Sequence, residues 1–124
     1  MAAISNDLVR SLLENPSPEN RERSVVQLTE VFRSRALRGR AATMLEEVIR
    51  IFAHDAAVRV RKAVSEQLQH DPELPHDVAL SLAKDVDDVA IPVLRFSRAL
   101  SDEDLADIVA NEGQKKLQAI ACRA

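Results

Sequence analysis

Apolar residues recur along this chain three and four positions apart, the spacing that lines one face of an α-helix. Residues Asn6 to Glu14 place Leu8, Leu12 and Leu13 together and predict a short first helix. The segment Asn15-Pro16-Ser17-Pro18-Glu19 breaks it. Ser17 suits an N-cap, where a hydroxyl accepts from a free N–H of the first turn, and Pro18 suits the first helical position, where its missing N–H costs nothing. The next helix carries Val25, Leu28, Val31 and Phe32 on one stripe and ends in the segment 33–40. A helix over 41–53 has a broad apolar face of Leu45, Val48, Ile49 and Phe52. Asp55 is then expected to cap a helix over 56–69, with Val60, Val64 and Leu68 inward and Arg59, Lys62, Glu66 and Gln69 on the other side.

The remainder continues in the same way. Asp71-Pro72-Glu73-Leu74-Pro75 reads as a turn, followed by a helix over 75–84 with Val78, Leu80, Leu82 and Ala83. Asp85-Val86-Asp87-Asp88 leads into a helix over 88–97, with Pro92 in its first turn or just past it. Ser101 and Asp104 have the spacing of a weak capping box for a helix over 102–111, and Asp102 and Glu103 suit its positive end. Gly113 separates this from a last helix over 114–122, with Leu117, Ile120 and Ala121 expected inward.

Eight short helices are thus expected, and six of them line up as three pairs: 41–53 with 56–69, 75–84 with 88–97, and 102–111 with 114–122. In the first two pairs an apolar helix ending in alanine meets an acidic turn and then a valine-rich helix. Phe52-Ala53-His54-Asp55-Ala56-Ala57-Val58-Arg59 aligns, with one gap, on Leu82-Ala83-Lys84-Asp85-Val86-Asp87-Asp88-Val89. Val58 and Val89 are 31 residues apart, close to the period of helix-pair repeats. The expected fold is all-α, an α-solenoid of antiparallel helix pairs. It forms one helical-repeat domain over 1–124, with an N-terminal pair over 1–37 and three further pairs over 38–124.

Composition agrees. The chain has 2 glycines, 3 phenylalanines, no Trp and no Tyr among its 124 residues, against the aromatic and β-branched enrichment of sandwiches and barrels. Its core must be filled by small and medium aliphatics, which lets helices approach closely. Two glycines leave no material for a phosphate-cradling loop. A single cysteine, Cys122, excludes an internal disulfide, and no base is placed to activate it. The start Met-Ala-Ala-Ile-Ser-Asn-Asp lacks the basic and apolar regions of a signal peptide, and no apolar run approaches the roughly 20 residues that cross a bilayer. A cytoplasmic protein without membrane insertion is expected.

The net charge of −3 is unevenly spread. Residues 1–62 carry eleven Arg and Lys against eight Asp and Glu, whereas residues 63–124 carry six against twelve. Neither balance is that of a strongly basic nucleic-acid-binding domain. The acidic turn with Asp55, Val58, Arg59 and Ala63 resembles the signature of HEAT repeats. A further resemblance covers about residues 40–124 and is densest from Val89 to Leu105. Its residues are His70-Asp71-Pro72-Glu73-Leu74-Pro75, Leu82-Ala83-Lys84-Asp85, Val89-Ala90-Ile91-Pro92-Val93-Leu94, Ser97, Leu100-Ser101-Asp102-Glu103-Asp104-Leu105 and Ala119-Ile120-Ala121-Cys122-Arg123. These resemble an alphaproteobacterial family of HEAT-like helical-repeat proteins known as a domain of unknown function. The resemblance implies a bacterial helical-repeat protein with no assigned catalytic residues. Members are usually longer, so this chain is expected to be a piece of a longer solenoid. Its last helix would then expose an apolar face, including Leu117 and Ile120, through which two copies could pair.

Several residues invite a chemical reading. His54-Asp55, His70-Asp71 and His76-Asp77 repeat a metal-ligand dipeptide. They lack the i, i+4 spacing that puts two ligands on one helix face, and a histidine closing one helix before an aspartate that opens the next explains them. Asp85, Asp87 and Asp88, and the cluster Asp102-Glu103-Asp104, lack the glycine and terminal glutamate of a calcium loop. No metal, cofactor or catalytic residue is expected, and the chain is not read as an enzyme.

The basic residues are the stronger candidates. Arg33, Arg35, Arg38 and Arg40 fall within eight residues and could form an anion patch, or simply complement a helix C-terminus. The second helices of the pairs carry Arg59, Arg61 and Lys62, then Arg95 with Arg98 just beyond, then Lys115 and Lys116. Second helices commonly line the concave face of a solenoid. A non-catalytic scaffold or regulatory module is therefore expected, holding another protein, with an acidic segment as the candidate ligand, in a basic groove of Arg59, Lys62, Arg95, Lys115 and Lys116. The competing structural role is pairing between neighbouring repeats, such as Arg59 with the Asp85–Asp88 turn. Nucleic acid or another anion on the same face is the alternative partner, disfavoured by overall acidity and missing aromatics. An enzyme with a solenoid pocket is the remaining one.

Overall fold

A computed structural model describes residue 10 and residues 14–123 of the chain. The expected helix over 6–14 falls largely outside these residues; of it, Arg10 and Glu14 are described and both are helical. Seven helices are bounded among the described residues: α1 Pro18–Ser34, α2 Gly39–Ala53, α3 Val58–Leu68, α4 His76–Ala83, α5 Asp87–Phe96, α6 Asp102–Asn111 and α7 Gln114–Ala121. The described residues contain no strand. The all-α expectation holds, and each of these helices lies within two residues of its expected bounds.

The chain divides into two compact units at Val64 and Ser65, inside α3. The division coincides with the change of charge, because Ala63 and Val64 add none. In the first unit α1 packs on α2. Local chemistry sets both ends of α1. The Ser17 hydroxyl accepts from the Asn20 N–H at 3.2 Å and Pro18 opens the helix. At the other end Arg35 takes a left-handed conformation, φ 58°, that usually falls to glycine. Arg35 compensates by donating to the Phe32 carbonyl at 2.6 Å and lying over the Phe32 ring at 5.0 Å. Val25, Leu28, Leu45, Ile49, Phe52, Val60 and Val64 are buried, as the helical stripe requires.

Asp55 acts slightly differently from expectation. Its carboxylate accepts from the Ala57 N–H at 2.8 Å, and α3 begins at Val58 rather than at 56. The carboxylate closes a tight turn before the helix instead of capping the first turn directly.

In the second unit α4 packs on α5, α6 packs on α7, and α5 packs on α7. Leu68, Leu74, Val78, Leu82, Val89, Val93, Leu94, Leu100 and Ile108 form the buried core. Pro92 is the sixth residue of α5, just past the first turn. Ser101 and Asp104 form a full capping box at α6. The Asp85–Asp88 turn does not repeat it. Val86 is the N-cap residue of α5 and provides no side-chain bond, while Asp87 and Asp88 lie in the first turn beside the helix dipole.

One expectation on α7 is corrected. Leu117 is 45 % exposed and Ala121 is exposed, whereas Lys116 and Ala119 are buried. The helix is rotated by about one residue from the apolar pattern. Lys116 can turn inward because its ammonium donates to Glu112 Oε1 at 2.6 Å, one turn back, while its stem fills apolar space.

Candidate anion-binding cleft

The second unit holds a cleft of about 330 Å³ lined by His70, Pro72, Arg95, Phe96, Arg98 and Arg123. Three short pieces of structure bring these residues together. The turn after α3 supplies His70 and Pro72. The end of α5 and the turn beyond it supply Arg95, Phe96 and Arg98. The end of the described chain supplies Arg123.

Phe96 organises one wall. Its ring lies 4.6 Å from the His70 ring, tilted by 50°, and the Arg95 guanidinium lies 5.0 Å from its centroid. Both contacts hold a cationic or polar group in place against an apolar surface, so these side chains are partly ordered before any ligand arrives. Arg123 is positioned by the backbone. It donates to the Leu94 carbonyl through Nη1, to the Ser97 carbonyl through Nη2 at 2.6 Å, and to the Val93 carbonyl at 3.4 Å. These carbonyls lie at the C-terminal end of α5, where a helix leaves acceptors short of partners; the Val93 carbonyl also accepts from the Ser97 N–H at 2.9 Å. Burial lowers the Arg123 pKa from its ordinary value, with the charge of Asp102 working the other way. The guanidinium still remains charged near neutrality.

The electrostatics follow from who is paired. Residues 63–124 contain six basic side chains. Lys84 lies 3.6 Å from Asp107, and Lys116 is bonded to Glu112. Arg95, Arg98 and Arg123 line the one cleft. Among the described residues neither Arg95 nor Arg98 has a carboxylate within ion-pair distance. Half of the basic side chains of an acidic unit therefore line one concavity, and two of the three have no carboxylate partner there. Such a cavity favours an incoming anion.

Of the second-unit residues expected in the groove, Arg95 alone is among those lining the cleft. Lys115 is exposed outside its lining and Lys116 is buried. Arg59, in the first unit, donates to Glu19 at 2.9 Å and Glu22 at 2.6 Å. Lys62 is half-buried. In the run of four arginines, Arg35 is engaged with Phe32, while Arg38 precedes α2 without a side-chain capping bond, and Arg33 and Arg40 are exposed. A more open concavity of about 510 Å³ runs along α2 between Glu47, Arg50, Ile51 and His54. Its cation, Arg50, is bonded to Glu46 and Glu47. No family model, curated protein or solved structure matches this chain.

His70 and Arg123 are the cleft residues that basic-stripe reasoning missed. His70 follows a helix and reads as a helix-closing histidine or as half of a metal-ligand dipeptide, neither of which points to an anion site. Arg123 lies beyond the last helix; the resemblance includes it, but no helical spacing places it with the other basic residues. Among the described residues no group of three or more His, Cys, Asp or Glu side chains is placed to hold a metal ion. No helix among them is long and apolar enough to cross a membrane.

Proposed function

We propose that this chain is a non-catalytic, HEAT-like interaction module of the cytoplasm, related to the helical-repeat family it resembles, which holds an acidic segment of another protein. The observation that carries the reading is the convergence of Arg95, Arg98 and Arg123, the first two without a carboxylate partner among the described residues, in a unit where acidic residues outnumber basic ones. The acidic surroundings repel anions in general, so only a segment that can enter the cleft gains from it. That is a source of specificity. The packing of α4 on α5, α6 on α7 and α5 on α7 is the order that stacked helix pairs would produce, which supports the repeat reading.

The test is fluorescence anisotropy with a labelled twelve-residue peptide rich in Glu and Asp. Wild type should bind it saturably, and the double reversal Arg95→Glu with Arg98→Glu should weaken binding by about tenfold or more. Unchanged binding by the double variant would reject the cleft. Displacement of the peptide by a short single-stranded oligonucleotide at lower concentration than by unlabelled peptide would favour nucleic acid as the partner.

A further inference from the structure

We infer that the cleft between His70 and Arg123 is a receptor for a phosphate monoester carried on a side chain of the partner, in preference to a carboxylate. This rests on the acidic-segment reading above and narrows it to one chemical group.

The argument is one of donor count, charge and size. A carboxylate has two oxygens and a single charge, and one guanidinium fork can satisfy it. A phosphate monoester offers three terminal oxygens and a charge of about −1.5 to −2 at neutral pH. Three arginines line the cleft. Arg95 and Arg98 keep their donors free of carboxylate among the described residues. Arg123 directs three N–H bonds to the Val93, Leu94 and Ser97 carbonyls. A guanidinium has five, so two remain. Gathering three like charges with Asp102 as the acidic neighbour acting on Arg123 is unfavourable in the empty state, and a dianion relieves it better than a monoanion. The volume of about 330 Å³ is at the lower end for ligand sites. It admits one modified side chain and excludes a helix. Phe96, His70 and Pro72 supply the apolar wall against which the carbon part of that side chain lies.

The experiment uses a matched set of acidic peptides that differ only at the central residue: serine, glutamate, phosphoserine or phosphotyrosine. Affinities are measured by anisotropy with the full chain at about 0.15 M salt. At least one phosphopeptide should bind about tenfold or more tighter than the glutamate peptide. Arg95→Gln and Arg98→Gln should each remove most of that preference, with circular dichroism confirming that both variants are folded. Equal affinity for the phosphorylated and glutamate peptides overturns the inference while leaving the acidic-segment reading intact. Failure of every peptide to bind overturns both. Phenyl phosphate or inorganic phosphate binding as tightly as the phosphopeptide would reassign the cleft to a free phosphate ligand and overturn its placement on a protein partner.

Discussion

Arg21 and Asp55 stand 34 residues apart and meet through two parallel bonds, Nε to Oδ1 at 2.8 Å and Nη2 to Oδ2 at 3.1 Å. The same carboxylate accepts from the Ala57 N–H, so one side chain ties α1 to the turn that starts α3. Burial acts to raise the Asp55 pKa. The bonds from Arg21 and Ala57 and the charges of Arg21 and Arg61 outweigh it, and the pKa lies below the ordinary aspartate value.

Asp55→Ala should destabilise the protein by about 1–2 kcal/mol in urea unfolding, a modest figure because water still reaches the pair. The pH dependence has a fixed sign. A carboxylate whose folded pKa is depressed stabilises fully above its unfolded value, near pH 3.9, and loses that contribution as pH falls through the folded value. Below about pH 4 wild type should lose stability more steeply than Asp55→Asn. Equal acid slopes in the two proteins would mean that the pair does not form in solution.

A second carboxylate shows the same direction by another route. Asp104 accepts from the Ser101 backbone N–H at 2.8 Å and lies 2.7 Å from His76 Nε2, which joins the start of α4 to the start of α6. The Ser101 bond is the larger cause of its lowered pKa and His76 the next, against the opposing effect of burial. A carbon-13 titration of the Asp104 carboxyl should therefore give a midpoint below about 3.9. In His76→Ala it should move part of the way back, because the backbone bond persists. Ser101→Ala, which removes the hydroxyl half of the capping box, should cost about 1 kcal/mol in urea unfolding.

What was legible in the sequence was local. Ser17 with Pro18, Ser101 with Asp104, and the apolar stripes through Val60, Val64 and Leu68 or Val89 and Val93 declare themselves within a few residues. The physics that sets them acts over one or two helical turns. The cleft is not local. His70, Arg95 and Arg123 become neighbours only when α5 packs against α4 and α7 and the last turn folds back on α5. Helical spacing reached Arg95 and Arg98 as part of a basic stripe but could not tell which arginines would lack a carboxylate. Leu117 and Lys116 show the complementary limit. Hydrophobicity favours Leu117 inward, but the Lys116–Glu112 bond makes the adjacent phase tolerable, and tertiary packing decides between them.

Arg123 has a structural task as well as a place in the cleft, and the two can be separated. It satisfies carbonyls at the end of α5 that would otherwise lack partners. Arg123→Met should destabilise the protein by about 1–2 kcal/mol. Arg95→Ala and Arg98→Ala, which remove exposed side chains that bond to no carboxylate among the described residues, should each stay within about 0.5 kcal/mol of wild type. The comparison is by urea unfolding of the three variants. A loss for Arg95→Ala as large as that for Arg123→Met would show that its stacking on Phe96 supports the fold as well as the cleft.

Ser65 is the residue whose replacement should help. It is fully buried in α3, and its hydroxyl has no hydrogen-bond partner among the described residues. Holding an unbonded hydroxyl away from water is unfavourable, and alanine fits the same space with a better helix propensity. Ser65→Ala should therefore raise stability by about 0.5–1.5 kcal/mol, measured as an increased urea midpoint at unchanged slope. Were the variant less stable than wild type, the Ser65 hydroxyl would have to be bonded in solution, to water or to a backbone carbonyl of its own helix.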